Sequence, residues 1–144
     1  GGYCNTVSAC YGYNTISGGC CNYSEGNFNS IAGGLNNKTY DFYGFAAGCD
    51  NQICGLSTRS FAIGGNNMVC NTASGALGSD NCVTCSRSFA IGCGITTCSI
   101  NTTHVNCLNI KDFAICATEV TTPTLPFGTV YYRQDCNALS VVCV

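Results

Sequence analysis

A six-residue block occurs twice in this chain without change, as Arg59-Ser60-Phe61-Ala62-Ile63-Gly64 and Arg87-Ser88-Phe89-Ala90-Ile91-Gly92, 28 residues apart. Internal repetition constrains a fold more tightly than any local propensity, because each copy must make the same contacts. Glycines that follow a small apolar pair extend the series: Ile16-Ser17-Gly18, Ile31-Ala32-Gly33, Ala46-Ala47-Gly48, Ala62-Ile63-Gly64, Ala76-Leu77-Gly78 and Ala90-Ile91-Gly92. Their spacings are 15, 15, 16, 14 and 14 residues, so 28 is two coils, and Gly1 closes an earlier, longer one. Three residues after the glycine stand Asn36, Asn51, Asn67 and Asn81; five after it stand Ile53, Val69 and Val83.

A period of 14 to 16 residues holds two strands of about four residues and two turns. Gly and Asn suit the turns because they tolerate positive φ, and alternating small and branched apolar residues suit one buried strand face. Equivalent residues then stack about 4.8 Å apart, and seven coils span about 35 Å. Helices find little support: Asp, Glu, Lys and Arg total 12 of 144 residues, and the chain carries 18 Gly but only 2 Pro. The expected fold is all-β, a short-period parallel β-solenoid over residues 1–107, in about seven coils. Its core is thin, a line of inward side chains such as Ala62, Ile63 and Val69. A lone roll of this size leaves apolar ladders wet, and packing three copies about a threefold axis would cover them.

The Ser-Phe-Ala-Ile-Gly and Ile-Ala-Gly-Gly-x-Asn-Asn blocks resemble the head repeats of trimeric autotransporter adhesins of the YadA type, and related repeats of viral and phage fibres. The resemblance covers residues 1 to about 100. It implies a left-handed parallel β-roll, a homotrimer and a role in attachment to a cell-surface glycan or protein receptor, on a virion or a cell-surface appendage. The chain departs from that pattern in its cysteines, which such heads generally lack.

Beyond Gly92 the register degrades. Phe113-Ala114-Ile115-Cys116 looks like one more copy with Cys for Gly, and Thr121-Thr122-Pro123-Thr124-Leu125-Pro126 reads as an extended linker, so 108–126 is a degenerate repeat and linker. Residues 127–144 read as a β-hairpin with its turn near Asp135 to Asn137, similar to the Gly-Thr-x-Tyr-Tyr-x-x-Asp-x-Asn-x-Leu pattern that ends or joins domains in viral fibre proteins.

Fifteen cysteines fit an oxidising compartment or a metal-binding protein, and the odd number leaves at least one without a partner in the chain. Cys54, Cys70 and Cys98 all lie six residues after their coil's glycine, with Cys85 one place later, while Cys49 and Cys93 share the first place after it. Neighbouring rungs fall within disulfide reach. The expected bonds join adjacent coils, Cys54 to Cys70 and Cys85 to Cys98; Cys136 and Cys143 are further disulfide candidates in the tail. Buried thiols filling the core, or bonds between chains, are the other readings. Cys82-Val83-Thr84-Cys85 has the spacing of a zinc knuckle or redox pair, yet lacks a second pair, and strand residues three apart face opposite ways.

Other chemistry is sparse. His104 is the only histidine, and Glu25, Asp41, Asp50, Asp80, Asp112, Glu119 and Asp135 are scattered, so no catalytic set, cofactor loop or metal set is expected and the chain does not read as an enzyme. Asp50 and Asp80 are expected to accept turn amides. The five cations lie far apart, which argues against nucleic acid. No apolar run is long enough to span a membrane, and a start at Gly-Gly without Met reads as a processed or cut product. Asn22, Asn37 and Asn101 match the glycosylation acceptor pattern. Tyr3, Tyr11, Tyr13, Tyr23, Tyr40 and Tyr43 suit either a glycan surface or packing between chains. The function expected is an extracellular structural fibre or adhesin segment; the alternative is a monomeric, disulfide-stapled solenoid binding ice or polysaccharide, against which no Thr-x-Thr column recurs.

Overall fold

The computed structural model describes residues 1–8, 12–40, 42–55 and 57–107 in full, and residues 130–133 and 138–141 as backbone strands. The chain divides into two compact units, Gly1–Leu108 and Asn109–Val144. The first is an all-β parallel solenoid of about seven coils. One sheet holds β2 (Thr15–Ile16), β4 (Ser30–Leu35), β6 (Phe45–Cys49), β8 (Phe61–Gly65), β10 (Gly75–Ser79), β12 (Phe89–Cys93) and β14 (Thr103–Val105). The other holds β1 (Thr6–Ser8), β3 (Tyr23–Glu25), β5 (Lys38–Thr39), β7 (Gln52–Ile53), β9 (Met68–Val69), β11 (Cys82–Val83) and β13 (Thr96–Thr97). In the second unit β15 (Val130–Arg133) pairs antiparallel with β16 (Ala138–Val141), Val130 opposite Val141 and Arg133 opposite Ala138. That is the hairpin read from the tail. The proposed degenerate repeat and linker at 108–126 lie outside the described residues, as does the turn at 135–137.

The repeat stays in register because the backbone ladder runs around the corners as well as along the strands. Along the strands alternate amides point to opposite neighbours, as Lys38 N–H does to the Asn51 carbonyl of the next coil at 2.8 Å. At each corner one residue has left-handed backbone and its N–H turns to the preceding coil: Asp50 donates to the Leu35 carbonyl, Asn66 to Cys49 and Asp80 to Gly65, at 2.8, 2.8 and 2.9 Å. That corner column is Cys4, Cys21, Asn36, Asp50, Asn66 and Asp80, with φ between 52° and 57°. Asn and Asp tolerate this conformation better than other side chains, and no β-branched residue occurs there. A second column, Phe28, Tyr43, Arg59, Ala73, Arg87 and Asn101, turns the opposite corner in the same conformation.

A buried asparagine ladder fills the first corner from inside. Asn51 Nδ2 donates to Asn37 Oδ1 at 2.9 Å, to the Ala47 carbonyl at 3.0 Å and to the Gly64 carbonyl at 2.9 Å, while Asn51 Oδ1 accepts from Asn67 Nδ2 at 2.9 Å. The step repeats from Asn5 through Asn22, Asn37, Asn51 and Asn67 to Asn81, and Asn81 Oδ1 accepts from the Ile95 amide at 3.0 Å. Among the described residues no buried side-chain polar atom lacks a partner. The column therefore includes Asn37 and not Asn36, because a bulge between Ile31 and Gly34 pairs Gly34, not Gly33, with Gly48. Likewise Gly19, not Gly18, precedes it.

These glycines close the approach between coils. They sit at the ends of strands, just before the corner, rather than in the turn itself. Gly64 has φ 119°, and a Cβ there would lie 1.9 Å from the Gly78 carbonyl oxygen. Gly19, Gly34, Gly48 and Gly78 have the same kind of neighbour.

The core is a single line of small and branched residues, Ile31, Ala46, Ala62, Ala76 and Ala90 from one sheet facing Ile53, Val69 and Val83 from the other. Where the first sheet supplies the larger Ile31, the second supplies Thr39, whose hydroxyl donates to Ser24 Oγ at 3.0 Å. Large meets small across the roll, as close packing requires. Ile63 is not in this line. With Ala62 inward, strand alternation sends Phe61 and Ile63 outward, where both are half-buried.

Gly64→Ala meets both a carbonyl and an unfavourable φ, so it should destabilise the solenoid by about 3 kcal/mol or more. Urea unfolding followed by circular dichroism measures this, and Gly65→Ala, where a Cβ would lie 4.0 Å from the Cys49 carbonyl oxygen in ordinary contact, should cost far less.

Candidate functional site

The outward columns of the solenoid carry its most distinctive surface features. The outer face of the first sheet is apolar along two adjacent columns. One runs Phe45, Phe61, Gly75 and Phe89; the other runs Ala47, Ile63, Leu77, Ile91 and Val105. Phe45 is 37 %, Leu77 44 % and Ile91 43 % exposed. Phe61 and Phe89 reach across Gly75 to stack with ring centroids 5.9 Å apart. A Cβ at Gly75 would fall 2.3 Å from the Phe61 ring, so this glycine is what lets the two rings meet. Beside this face a shallow concavity of about 380 Å³ is lined by Tyr43, Phe45, Arg59, Ser60 and Phe61.

The opposite face is mixed: Thr6, Tyr23, Lys38, Gln52, Met68, Cys82 and Thr96 form its first outward column. Threonine stands only at its ends. The tyrosines do not form one surface. Tyr13 and Tyr43 flank Phe28 in a stack at the second corner, with centroids 5.4 and 5.0 Å apart; Tyr23 and Tyr40 pair on the mixed face; Tyr3 lies apart and 71 % exposed. Tyr11 is outside the described residues.

Cysteine placement follows the columns. Cys54 and Cys70 are bonded, with Cα atoms 4.7 Å apart on consecutive rungs. Cys85 and Cys98 are free. Val83 pairs with Thr97, which sets Thr84 level with Cys98, and Thr84 Oγ1 donates to the Thr97 carbonyl at 2.8 Å. Cys85 is one place on, and a one-residue offset turns a side chain away from its neighbour. Cys82 and Cys85 are both free and do not bond each other. Cys49 and Cys93 share a column with Gly65 and Ser79 between them. Cys136 and Cys143 lie outside the described residues. Consecutive-rung cysteines also occur at Cys4 and Cys21, following the Tyr3–Cys20 bridge; the signal for this pair was present in the glycine series, since each stands three residues after its coil's glycine, Gly1 and Gly18.

Charged groups serve the corner ladder. Asn36 Nδ2 donates to Asp50 Oδ1 at 2.7 Å and Asn66 Nδ2 to Asp80 Oδ1 at 2.8 Å. The two aspartates thus accept side-chain amides of the preceding rung, not the turn amides expected. The Cys49 thiol donates to Asp50 Oδ2 at 2.8 Å; this bond, then that from Asn36, holds the Asp50 carboxyl below its usual range. His104 continues the inward column below Ala90, its Nε2 2.9 Å from Thr102 Oγ1. Among the described residues no group of three or more His, Cys, Asp or Glu side chains is placed to hold a metal, and no helix is long and apolar enough to cross a membrane.

Two of the three acceptor motifs are closed to modification. Asn22 and Asn37 are fully buried, with their Nδ2 atoms spent on the ladder. A short motif reports the residues and not their burial. Asn101 is exposed at the second corner, where it accepts from Arg87 Nε.

No protein-family model matches this chain, and neither the curated proteins nor the solved structures contain a match.

Two outcomes follow. Secreted from a eukaryotic host, the folded protein should carry glycan at Asn101 and none at Asn22 or Asn37, read by peptide mass spectrometry. Cys54→Ser should lower stability by about 3 kcal/mol, the loss of one 16-residue cross-link, measured as a shift of the urea midpoint.

Proposed function

We propose that this solenoid is a structural segment of an extracellular attachment fibre or adhesin, assembled as a homotrimer through the outer face that carries Phe45, Phe61, Phe89, Leu77 and Ile91. The observation that carries the reading is an apolar ribbon on the middle coils, the unbroken column Ala47, Ile63, Leu77, Ile91 and Val105 beside Phe45, Phe61 and Phe89, whose own column turns polar at Ser30 and Thr103. Single exposed apolar residues are ordinary, whereas a contiguous ribbon is not. Removing half-exposed Phe, Leu and Ile side chains from water contributes about 1 kcal/mol each. Three copies around an axis close the arrangement and leave no further ribbon exposed, where an open repeat would make filaments. The likeness of the Ser-Phe-Ala-Ile-Gly blocks to trimeric adhesin heads and viral fibres supports both the threefold assembly and attachment at a virion or cell surface.

A straight roll with side chains fixed at regular rungs acts as a spacer that presents a surface at a set distance. Its Cys54–Cys70 cross-link and hydrogen-bonded corners resist unfolding outside the cell, where an oxidising environment keeps that bond closed. The ice- or polysaccharide-binding alternative needs a regular threonine face, and the mixed face has threonine only at Thr6 and Thr96 of its first column.

Light scattering or native mass spectrometry tests the assembly. The expected mass is three times the 15.0 kDa chain, with and without reductant. Leu77→Asp combined with Ile91→Asp should give monomers that keep the β circular dichroism of the parent. A parent protein that is monomeric at micromolar concentration would remove the reading.

A further inference from the structure

Among the described residues the first coil stacks on one other coil, as does the coil of β13 and β14. β1 is an edge strand with one partner, and Val7, in the inward column, is still 49 % exposed. Besides the β1–β3 ladder, the coil is tied on by Tyr3 N–H to the Gly19 carbonyl at 2.9 Å, Thr6 N–H to Asn22 at 2.8 Å, Cys21 N–H to the Tyr3 carbonyl at 2.9 Å, Asn5 Nδ2 to Gly19 at 2.9 Å, and Asn22 N–H and Nδ2 to Asn5 Oδ1 at 3.0 and 3.1 Å. A repeat with one neighbour has the smallest interface and opens first.

Three thiols gather at this place. Tyr3 is in register with Cys20, which sets Cys4 level with Cys21 on consecutive rungs, both in the left-handed corner conformation at φ 52° and 56°. Side chains of this corner column reach one another between rungs, as Asn36 reaches Asp50 at 2.7 Å and Asn66 reaches Asp80 at 2.8 Å. One rung is also a distance that a disulfide spans in this fold, because Cys54 and Cys70 are joined across it. Cys20 Sγ lies 3.4 Å from Cys21 Sγ. The hydrogen bond with Cys20, then burial, raises the Cys21 thiol pKa, while its contact with Cys4 acts the other way. Cys4 and Cys21 are exposed, so a small disulfide reagent reaches them.

We propose that Cys4 and Cys21 form a redox clamp between the first two coils of this chain, closed by a low-molecular-weight disulfide such as oxidised glutathione. The Cys4 thiolate attacks one sulfur of glutathione disulfide, forming a mixed disulfide and releasing one glutathione thiolate. The Cys21 thiolate then attacks the Cys4 sulfur, forming Cys4–Cys21 and releasing the second glutathione. The protein gives up two electrons, the glutathione disulfide takes them, and the two cysteine protons go to the released thiolates. Cys20 stays a thiol, since bonding to its sequence neighbour would close a cramped eight-membered ring. The clamp joins the coil of β1 to the coil of β3, as Cys54–Cys70 joins two coils in the middle.

The test treats the full chain with glutathione disulfide under native conditions, then maps peptides without reduction and measures backbone hydrogen exchange. The expected result is a Cys4–Cys21 linked peptide, together with at least about tenfold slower exchange at the Tyr3 and Thr6 amides. Reductant should reverse the slowing, and Cys4→Ser should abolish it while keeping the folded spectrum. Cys20→Ser should still form the link. The proposal is overturned if Cys4 stays alkylatable after oxidation, if it bonds Cys20 or another chain, or if exchange slows equally in Cys4→Ser.

Discussion

Everything in the solenoid depends on keeping coils in register at one strand spacing through two sharp corners. A corner ordinarily interrupts a sheet, since its amides point away from the ladder and must find water or a cap. Here a single left-handed residue per corner turns the chain while its amide still donates to the preceding coil, as Asp50, Asn66 and Asp80 do, so the alternating parallel ladder runs on through the corner. The buried asparagines then occupy the space inside the corner, each bridging its own coil and both neighbours. Glycines such as Gly64 let the backbones approach closely enough for this.

That arrangement decides what the core and surface can be. With polar ladders filling the corners, only one inward residue per strand is left for an apolar core, and Ala62 facing Val69 is typical of it. The next residues on the same strands must face out, which is why the Phe-Ala-Ile block places Ala62 inside and both Phe61 and Ile63 outside. A thin core and an apolar exterior ribbon therefore have one origin, the pairing of apolar residues on both sides of a short strand. The same periodic stacking sets cysteines level where they share a column, and so decides which pairs can bond. Cys54 and Cys70 meet, and Cys85 and Cys98 do not.

Much of this was legible in the repeat. The coil length, the parallel all-β fold, the Cys54–Cys70 bond and the tail hairpin all followed from spacing and turn residues. Register in the first coils did not. In Gly18-Gly19 and Gly33-Gly34 a doublet hides which glycine faces the next coil, because neither has a side chain to mark the face, and the bulge moved the ladder from Asn36 to Asn37. Orientation inside the Ala-Ile pair was equally hidden, since both residues are apolar and only alternation against the partner sheet distinguishes Ala62 from Ile63. The acceptor motifs at Asn22 and Asn37 carried no sign of burial. Their place in the ladder became visible only when six coils were laid side by side.

The buried asparagine side chains hold neighbouring coils together, each bonded to the rung before and the rung after it. Hydrogen exchange of the Asn37, Asn51 and Asn67 side-chain amide protons, followed by NMR, tests it directly. Protection at those side-chain protons comparable to that of the backbone amides in β7 and β9 is the predicted result. Exchange at the rate of a free primary amide, in a protein that keeps its backbone protection, would contradict it.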